Sequence, residues 1–479
     1  MLFNSLHFLI FFPIVAALFF AVPTRFRLPL LFVASCYFYM AFIPAYIIIL
    51  FVLIAVDYVA GLLIDRAQGP ARKRILLISL VANIGILGVF KYFNFFSENI
   101  AALSSALGVP VHPALLGLAL PIGLSFHTFQ SMSYTIEVYR GRWKAERNLL
   151  VYAVYVLFFP QMVAGPIERP YNLLPQFHRD VEFDAERATQ GLRLMLWGFI
   201  MKVVVADRLA LYANQVFDNP GGHHGLTTAL GIYCFSFQIY CDFAGYSTIA
   251  IGAARLLGYR LMTNFRTPYF ASSVAEFWQR WHISLSSWFR DYLYIPLGGN
   301  RVPRWRWYFN LFFVFLVSGF WHGANWTFLV WGGLHGLYLI GSIVIDPARR
   351  AVLRLLRLRE TGRWVRLAGL LLTFHLVTLA WVFFRAHSMG DAALILRNLT
   401  HPEPGGLSFE YPLGAVDFTL ALLSIVALVG VDALRGRFRL GEAIAARPTW
   451  QRWGVYYASV IGILFFGVLT QSRFIYFQF

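Results

Sequence analysis

The stretch from Val317 to Gly336, VSGFWHGANWTFLVWGGLHG, is apolar, rich in tryptophan and glycine, and contains two histidines, His322 and His335. The surrounding chain of 479 residues is 59% hydrophobic and only 13% charged. Apolar runs of ~20 residues are long enough for a helix to cross a bilayer. Polar side chains at membrane depth are costly and usually face a cavity or a partner. The composition therefore predicts a polytopic membrane protein, and this stretch raises the question of why imidazoles lie at membrane depth.

Apolar runs of this length recur along the chain and predict an all-α membrane protein with about 12 transmembrane helices. A further run at 148–164 leads into FPQMVAGPIERP, whose Pro and Gly content predicts a re-entrant or broken helix. We expect one membrane-embedded domain, residues 1–479, with its catalytic motifs within 114–390. The predicted crossings are 5–22, 28–43, 45–64, 75–91, 114–136, 188–213, 226–256, 307–325, 326–345, 366–386, 412–431 and 453–472.

The basic residues predict the orientation of the chain. The formal net charge is +17, but Lys and Arg lie in short links between apolar runs, which fits a membrane protein better than a nucleic-acid-binding surface. If the chain crosses the membrane twelve times and the segment 148–164 is re-entrant, every basic link lies in the cytoplasm and both termini lie outside. The basic links are 24–27, 65–74, 140–147, 301–306, 348–366 and 435–447, whereas the opposite links 219–225 and 400–411 contain almost no Lys or Arg.

The cytoplasmic stretch 263–301 is at once long, aromatic and polar. Ser273 followed by Glu276 has the pattern of a capping box, which predicts that a helix begins there. Glu276 and Arg280 have the spacing of an ion pair within one helix. We expect a single amphipathic helix at the membrane surface or dipping into the bundle. The residues expected to share one of its faces are Trp278, His282, Ser286 and Arg290.

Several other polar residues lie inside predicted crossings, namely His127, Gln130 and Asp242. Asp242 is either functional or a residue satisfied within the bundle, and the sequence leaves both interpretations open. His335, packed among three glycines, is interpreted as structural. For His322 a structural role, donating to a nearby carbonyl, remains an alternative.

The stretch around His322 also offers neighbours for its ring. Asn325 is expected near the ring on the same helical face, or near a helix break at Gly319 or Gly323.

Metal and nucleotide motifs are missing from the sequence. The three cysteines lie in apolar runs without a CxxC pair, and the adjacent His223 and His224 suit no standard zinc geometry. P-loop, GxGxxG and GxSxG patterns are also missing, which argues against a nucleotide-driven pump and an ordinary serine hydrolase. We therefore expect no metal and no permanently bound cofactor.

Five motifs, in order along most of the chain, resemble the membrane-bound O-acyltransferase (MBOAT) family, and within it the branch of the bacterial alginate O-acetyltransferase membrane subunit. They are FPQMVAGPIERP, DFAGYSTIAIG, FWQRWHISLSSWFRDYLYIPLGGNR, SGFWHGANWTFLVWGGLHG and WVFFRAHS. The resemblance implies that His322, in the WHG motif, is the catalytic histidine. It also implies that His282 is the family's second signature position, an Asn in many members and a His in this branch.

The resemblance further implies a bacterial inner-membrane enzyme that moves an acetyl group from a cytoplasmic donor, acetyl-CoA, towards an acceptor on the far side. There a periplasmic acetyltransferase partner or the polysaccharide itself would receive it. Relatives in this branch act on alginate, cellulose or peptidoglycan, so the polymer stays open. Membrane lipid is the other expected partner.

Acyl transfer to a hydroxyl needs a base near the hydroxyl proton and donors near the developing oxyanion. His322 is the expected base, because a neutral imidazole with a pKa near ~6.5 suits this work at neutral pH. Candidates to orient its ring or the thioester are Asn325, the Trp321 N–H and His282. A direct attack and an acyl-enzyme route both remain open. The other candidate substrate-binding residues are Trp278, Ser286 and Asp242.

Coenzyme A carries phosphates, so a basic entry is expected on the cytoplasmic side. Arg280 and Arg290 are the main candidates, and Arg266, Arg301, Arg304 and Arg306 lie nearby in the sequence. The alternative for each is a purely topological role.

A helix that enters the membrane near Trp307 would place His322 fifteen residues on, or ~22 Å along its axis, past the middle of a ~30 Å hydrocarbon core. We therefore expect a tunnel across the protein with His322 where donor and acceptor meet. Two other classes stay open: a transporter of a small anion or glycan, and a non-catalytic scaffold for periplasmic partners.

Overall fold

The computed structural model describes residues 1–163, 165–402, 406–411, 413–435, 440–468 and 474–475. Within these residues every regular element is helical, as the sequence predicts. The predicted links at 400–411 and 435–447 and the predicted crossings at 412–431 and 453–472 each include residues outside the described part of the chain.

The chain divides into two compact units. Unit 1 comprises residues 1–195 and 247–262, and unit 2 comprises residues 196–246 and 263–479. The helices that begin in unit 1 are α1 Leu6–Ala21, α2 Thr24–Met40, α3 Ile47–Arg66, α4 Pro70–Leu87, α5 Phe93–Ala106, α6 Leu124–Tyr139, α7 Leu149–Leu157, α8 Phe159–Met162, α9 Pro170–Phe177 and α10 Ala185–Phe199.

The remaining helices begin in unit 2. They are α11 Asp207–Asp218, α12 Gly225–Leu256, α13 Val274–Arg280, α14 Ile283–Phe289, α15 Arg304–His322, α16 Trp326–Leu355, α17 Arg363–Arg385, α18 Met389–Asn398, α19 Ala415–Arg435, α20 Leu440–Ala445 and α21 Thr449–Phe466. Short π-helical segments at Gly88–Tyr92, Ile200–Ala206 and Arg290–Tyr294 continue α4, α10 and α14.

Five helical segments in the described residues are long and apolar enough to cross a membrane, which makes this a multi-pass membrane protein. They coincide with the predicted crossings at 45–64, 75–91, 326–345, 366–386 and 412–431. The total of twelve crossings and the orientation of the termini stay predictions. The five segments are Pro44–Arg66, Pro70–Ala106, Trp326–Leu355, Arg363–Arg385 and Val416–Arg435.

Two predicted boundaries in unit 1 are wrong. The helix expected to end at 91 continues through a π-helical turn to Ala106, and the helix expected from 114 begins only at Leu124. Between them the sequence GVPVHPALLGLALPIG contains three prolines, each of which removes a backbone donor and restricts its neighbour. Proline content therefore overrides the apolar composition that suggested a crossing from 114.

The broken helix predicted at 148–164 is confirmed for its described residues, because α7 ends at Leu157 and α8 is a single turn. A break leaves backbone carbonyls that need donors. Gln130 and Gln161 donate from Nε2 to the carbonyl oxygen of Tyr155 at 2.5 and 2.9 Å, and His127 Nδ1 lies 3.0 Å from the carbonyl oxygen of Val156. In unit 1, His127 and Gln130 therefore support the break in the helix.

The single amphipathic helix expected from Ser273 is also wrong. The helix begins as predicted, with Ser273 Oγ accepting from Glu276 N at 3.1 Å, but α13 ends at Arg280. His282 then adopts a left-handed backbone with φ 42°, and α14 starts anew at Ile283. Because spacing predicts a common face only within one continuous helix, the spacing of four does not place His282 on one helical face with Trp278.

Candidate active site

His322 is the last residue of α15, and its position follows from how α15 packs against α16 in unit 2. A Cβ on Gly319 would overlap the carbonyl oxygen of Phe328. The backbones of the two helices are therefore in contact one turn before His322. The helix does not break at Gly319. It ends at the next glycine, Gly323, whose backbone is extended.

Asn325 begins the next helix. Its side-chain oxygen accepts from Thr327 N at 3.0 Å, so it is the N-cap of α16, and its Nδ2 donates to the carbonyl oxygen of His387 at 3.0 Å. These bonds fix the turn that follows His322. Asn325 thus acts on the catalytic candidate through the backbone of that turn.

The His322 side chain is buried, with 4% of its surface exposed, in a wall of aromatic rings. Its ring lies edge-on to the rings of Trp331 and Phe384, with centroid distances of 5.0 and 5.3 Å. The neighbouring Trp321 ring lies 4.8 Å away. These rings shield the imidazole from water.

His282 occupies a different environment in the same unit. Its Nδ1 lies 3.1 Å from Asn264 Oδ1, which also accepts from Ser284 N and Ser284 Oγ at 3.2 and 2.9 Å. Because this oxygen is an acceptor, His282 Nδ1 carries the proton and Nε2 has the lone pair. Burial lowers the pKa of His282 to about 3, so the ring is neutral.

The two histidines contact different rings. His282 lies edge-on to Phe243 at 4.6 Å and parallel to Phe265 at 6.4 Å. The ring contacts that lead from there to His322 pass through Phe265, Trp281, Trp381 and Trp331 in turn, at 5.1, 5.0 and 5.7 Å. The structure therefore joins the two signature positions through an aromatic layer.

A cavity of ≈ 470 Å³ lies in unit 2 beside this aromatic layer. Three of the predicted site residues line it, namely Trp278, Ser286 and Arg290. Ser318, also in its wall, lies one helical turn before His322 on α15. The other lining residues include Ala275, Gln279, Ile283, Leu285, Tyr294, Trp307, Leu311, Val314, Phe315, Leu339 and Ile343.

Arg280 and Arg290, predicted to act together, differ in the structure. Arg280 Nη2 pairs with Glu276 Oε1 at 2.5 Å, as the spacing predicts, and Arg280 Nη1 donates to Thr267 Oγ1 at 3.4 Å. Arg290 is 62% exposed, pairs with Asp291 at 2.8 Å and borders the cavity. Only Arg290 of the two lines the cavity.

Asp242 is a member of a buried ion-pair cluster in unit 2. Lys202 Nζ lies 2.7 Å from both Asp242 Oδ1 and Asp207 Oδ1, and the backbone N–H of Ile475 donates to Asp242 Oδ2 at 2.7 Å. These contacts match the alternative in which the charge and hydrogen-bonding capacity of Asp242 are satisfied by other residues of the bundle. In the described residues no group of three His, Cys, Asp or Glu side chains is placed to hold a metal ion.

Sequence reasoning missed two residues. Ser318 begins the SGFWHGANWTFLVWGGLHG motif but was not singled out, although its spacing of four from His322 was a usable signal. His335 was interpreted as structural, but its ring shares Trp331 with His322, at 5.0 Å from each, and its Nδ1 accepts from Trp278 Nε1 at 3.3 Å. Both residues depend on which helix packs against α15, which local spacing does not reveal.

Comparison with known proteins places this arrangement in a family. The model of the MBOAT, membrane-bound O-acyltransferase family, matches residues 67–383. The chain is 39% identical over 396 residues to a probable alginate O-acetylase of Azotobacter vinelandii, covering 82% of this chain and 76% of that protein. It is 35% identical over 393 residues to a peptidoglycan O-acetyltransferase of Helicobacter pylori, covering 76% and 72%.

A third relative, a teichoic acid D-alanyltransferase of Streptococcus thermophilus, is 29% identical over 291 residues, covering 55% of this chain and 68% of that protein. The chain belongs to the membrane-bound O-acyltransferase family, in the branch that includes the alginate O-acetylases, and is an O-acyltransferase. This membership decides for an enzyme over a transporter.

Proposed function

We propose that this protein is a bacterial inner-membrane O-acetyltransferase. It takes an acetyl group from acetyl-CoA on the cytoplasmic side and delivers it across the membrane for O-acetylation of an exopolysaccharide, alginate being the first candidate. The names of the relatives support acyl transfer to a polymer of the cell envelope.

The observation that carries the proposal is the position of His322. It is buried at the end of α15, one turn beyond Ser318 in the cavity wall. A neutral imidazole there takes the proton of the acceptor hydroxyl as the hydroxyl oxygen attacks the thioester carbonyl carbon. The carbon–sulfur bond then breaks, and the imidazolium returns the proton to the departing thiolate. Shelter from water protects the thioester from hydrolysis.

The cavity suits the donor's flexible arm. Its wall is mainly apolar, with hydroxyl groups at Ser286 and Ser318 and a guanidinium at Arg290. An acyl-pantetheine chain is largely apolar with a few amide groups, whereas the phosphates at its far end need cations. Arg290 is the proposed phosphate contact, and the arm extends from it towards Ser318.

The acceptor side includes the tunnel expected from the sequence, in which the polymer or a periplasmic partner acetyltransferase meets His322 from the far side of the membrane. The peptidoglycan O-acetyltransferase among the relatives favours a second candidate acceptor, another cell-envelope glycan. Deleting the gene and measuring base-labile acetate on each envelope polymer distinguishes the two. The polymer that loses acetate is the acceptor.

The activity test uses detergent-purified protein with acetyl-labelled acetyl-CoA and, as acceptor, the polymer that loses acetate in the deletion. We expect thioester turnover by the unmodified protein and a loss of ~10²–10⁴-fold in His322→Ala, with the melting temperature nearly unchanged. His375→Ala is the matched control, because that histidine is exposed on α17 and its Nδ1 bonds to the carbonyl oxygen of Leu371 on its own helix. A His322→Ala protein that fails to accumulate, or one that still acetylates the polymer normally, would contradict the assignment, the latter in favour of a scaffold.

A further inference from the structure

One face of α16 carries a row of buried polar atoms. Thr327, Trp331 and His335 recur every four residues and are fully buried, and Tyr338 follows on the same face. Among the described residues, Thr327 Oγ1, Trp331 Nε1, His335 Nε2 and the Tyr338 hydroxyl have no hydrogen-bond partner. A buried donor without a partner costs about 1–3 kcal/mol, so a row of them calls for a function.

The protonation of His335 follows from the hydrogen bond that Trp278 donates to it. Trp278 Nε1 is a donor only, and it lies 3.3 Å from His335 Nδ1. The ring nitrogen Nδ1 is therefore the acceptor, and the proton of the neutral imidazole is on Nε2. His335 thus presents an N–H donor, as Trp331 does with its indole.

Trp331 lies next to the catalytic candidate, and His335 lies next to Trp331. The Trp331 ring stands edge-on to His322 and to His335, with both centroid distances 5.0 Å. Trp278, which fixes the His335 tautomer, lines the cavity, and its ring lies 4.9 Å from that of His335. The row therefore adjoins the cavity wall on one side and the His322 ring on the other.

We propose that the Trp331 Nε1–H and the His335 Nε2–H bind the carbonyl oxygen of the acyl thioester and form the oxyanion hole of the reaction. When the acceptor oxygen, losing its proton to His322, attacks the carbonyl carbon, the carbonyl electron pair moves onto this oxygen, and both N–H groups donate to it. Return of the pair breaks the carbon–sulfur bond, and the thiolate takes the proton from His322. This inference rests on the proposed function.

The test compares two buried tryptophans that stack on each other at 5.7 Å, Trp331 and Trp381. Trp331→Phe removes the unpartnered N–H, whereas Trp381→Phe removes an N–H that donates to Tyr269 at 3.2 Å. We expect kcat to fall ~10²–10³-fold in Trp331→Phe with the KM for acetyl-CoA within about threefold. Trp381→Phe should keep kcat within about threefold per folded molecule. Equal kcat values for the two variants would overturn the proposal.

A second pair of variants, His335→Gln and His335→Leu, tests the oxyanion hole if the Trp331→Phe protein does not accumulate. Gln at position 335 can place its amide N–H near the Nε2 position, whereas Leu offers no donor. We expect His335→Gln to retain at least tenfold more kcat than His335→Leu, with similar melting temperatures. Similar kcat values would show that His335 only fills space.

The failure of the proposed donor is distinguishable from the failure of this inference. If the purified protein does not use acetyl-CoA while cells still acetylate the polymer, the donor is wrong. The same variants are then compared by polymer acetate per folded protein in cells. Unchanged polymer acetate in Trp331→Phe and His335→Leu would overturn the oxyanion hole whatever the donor.

Discussion

His282 Nδ1 lies 3.1 Å from Asn264 Oδ1, an oxygen that also accepts from the backbone and hydroxyl of Ser284. One amide oxygen therefore fixes the start of α14, the tautomer of a buried imidazole and the left-handed backbone at His282, where φ is 42°. This position separates α13 from α14, which leaves Trp278, Ser286 and Arg290 to line the cavity.

The burial of His282 predicts a loss of stability in acid. Its pKa in the folded protein is about 3, below the ordinary value of about 6.5, so the unfolded chain binds more protons between these values. The stability that depends on the neutral ring is complete above pH ~6.5 and is lost as pH falls towards 3, by up to about 1.4 kcal/mol per pH unit.

The measurement is the melting temperature of the detergent-solubilised protein from pH 7 to pH 4. His282→Asn is the control, because Asn tolerates a left-handed backbone, keeps a donor near the Nδ1 position and does not titrate. We expect the melting temperature to fall more steeply with acid in the unmodified protein. Identical slopes in both proteins would mean that His282 does not titrate as its burial implies.

Arg290 and Arg280 should differ in their effect on the donor. We expect Arg290→Gln to raise the KM for acetyl-CoA about tenfold, the equivalent of losing one charge-assisted hydrogen bond of about 1.5 kcal/mol. Arg280→Gln breaks only a part-exposed pair with Glu276, so stability should fall by less than about 1 kcal/mol and the KM should hardly change. Steady-state kinetics on both variants measures the KM for acetyl-CoA. A larger increase in this KM for Arg280→Gln than for Arg290→Gln would contradict the assignment of Arg290 as the phosphate contact.

The Asp242 cluster predicts opposite outcomes for two neutralising changes. Asp242→Asn leaves Lys202 paired with Asp207, so the folded yield and the activity per molecule should stay within about threefold. Lys202→Met removes the cation that pairs with both buried carboxylates, which costs about 3–5 kcal/mol. We expect little folded protein for Lys202→Met by size-exclusion chromatography. A stable but inactive Asp242→Asn would return Asp242 to the list of substrate-binding residues.

Gly319 should be required for the position of His322. A methyl group there would meet the Phe328 carbonyl oxygen and the Gly332 backbone, so Gly319→Ala must push α15 and α16 apart. Overpacking of this kind costs about 1–3 kcal/mol and should lower the activity at least tenfold. Gly341→Ala, on the same helix pair with open space around it, should be neutral or slightly stabilising. Thermal melting and turnover measured together test this, and equal behaviour of the two variants would contradict it.

The sequence was sufficient wherever a property depends on neighbouring residues along the chain. Composition and apolar runs predicted the all-helical membrane class, proline and glycine predicted the break near 158, and Ser273 and Glu276 predicted the start of α13. The Glu276–Arg280 pair followed from its spacing within one helix. Five motifs in order along the chain also gave the family, because short motifs can be recognised in a sequence without knowledge of the fold.

Only the tertiary structure decided which side chains meet. The spacing of four that grouped His282 with Trp278 fails because a left-handed turn at His282 separates the two helices, and Asn264, outside both helices, bonds to His282 there. His335 became a candidate only when α16 packed on α15 and put Trp331 between two imidazoles. The spacing of residues along the chain determines which of them share a face of a helix. Which other helix packs against that face depends on long-range contacts, and the sequence pattern does not specify these. Here the glycines at 319 and 332 allow α15 and α16 to pack closely.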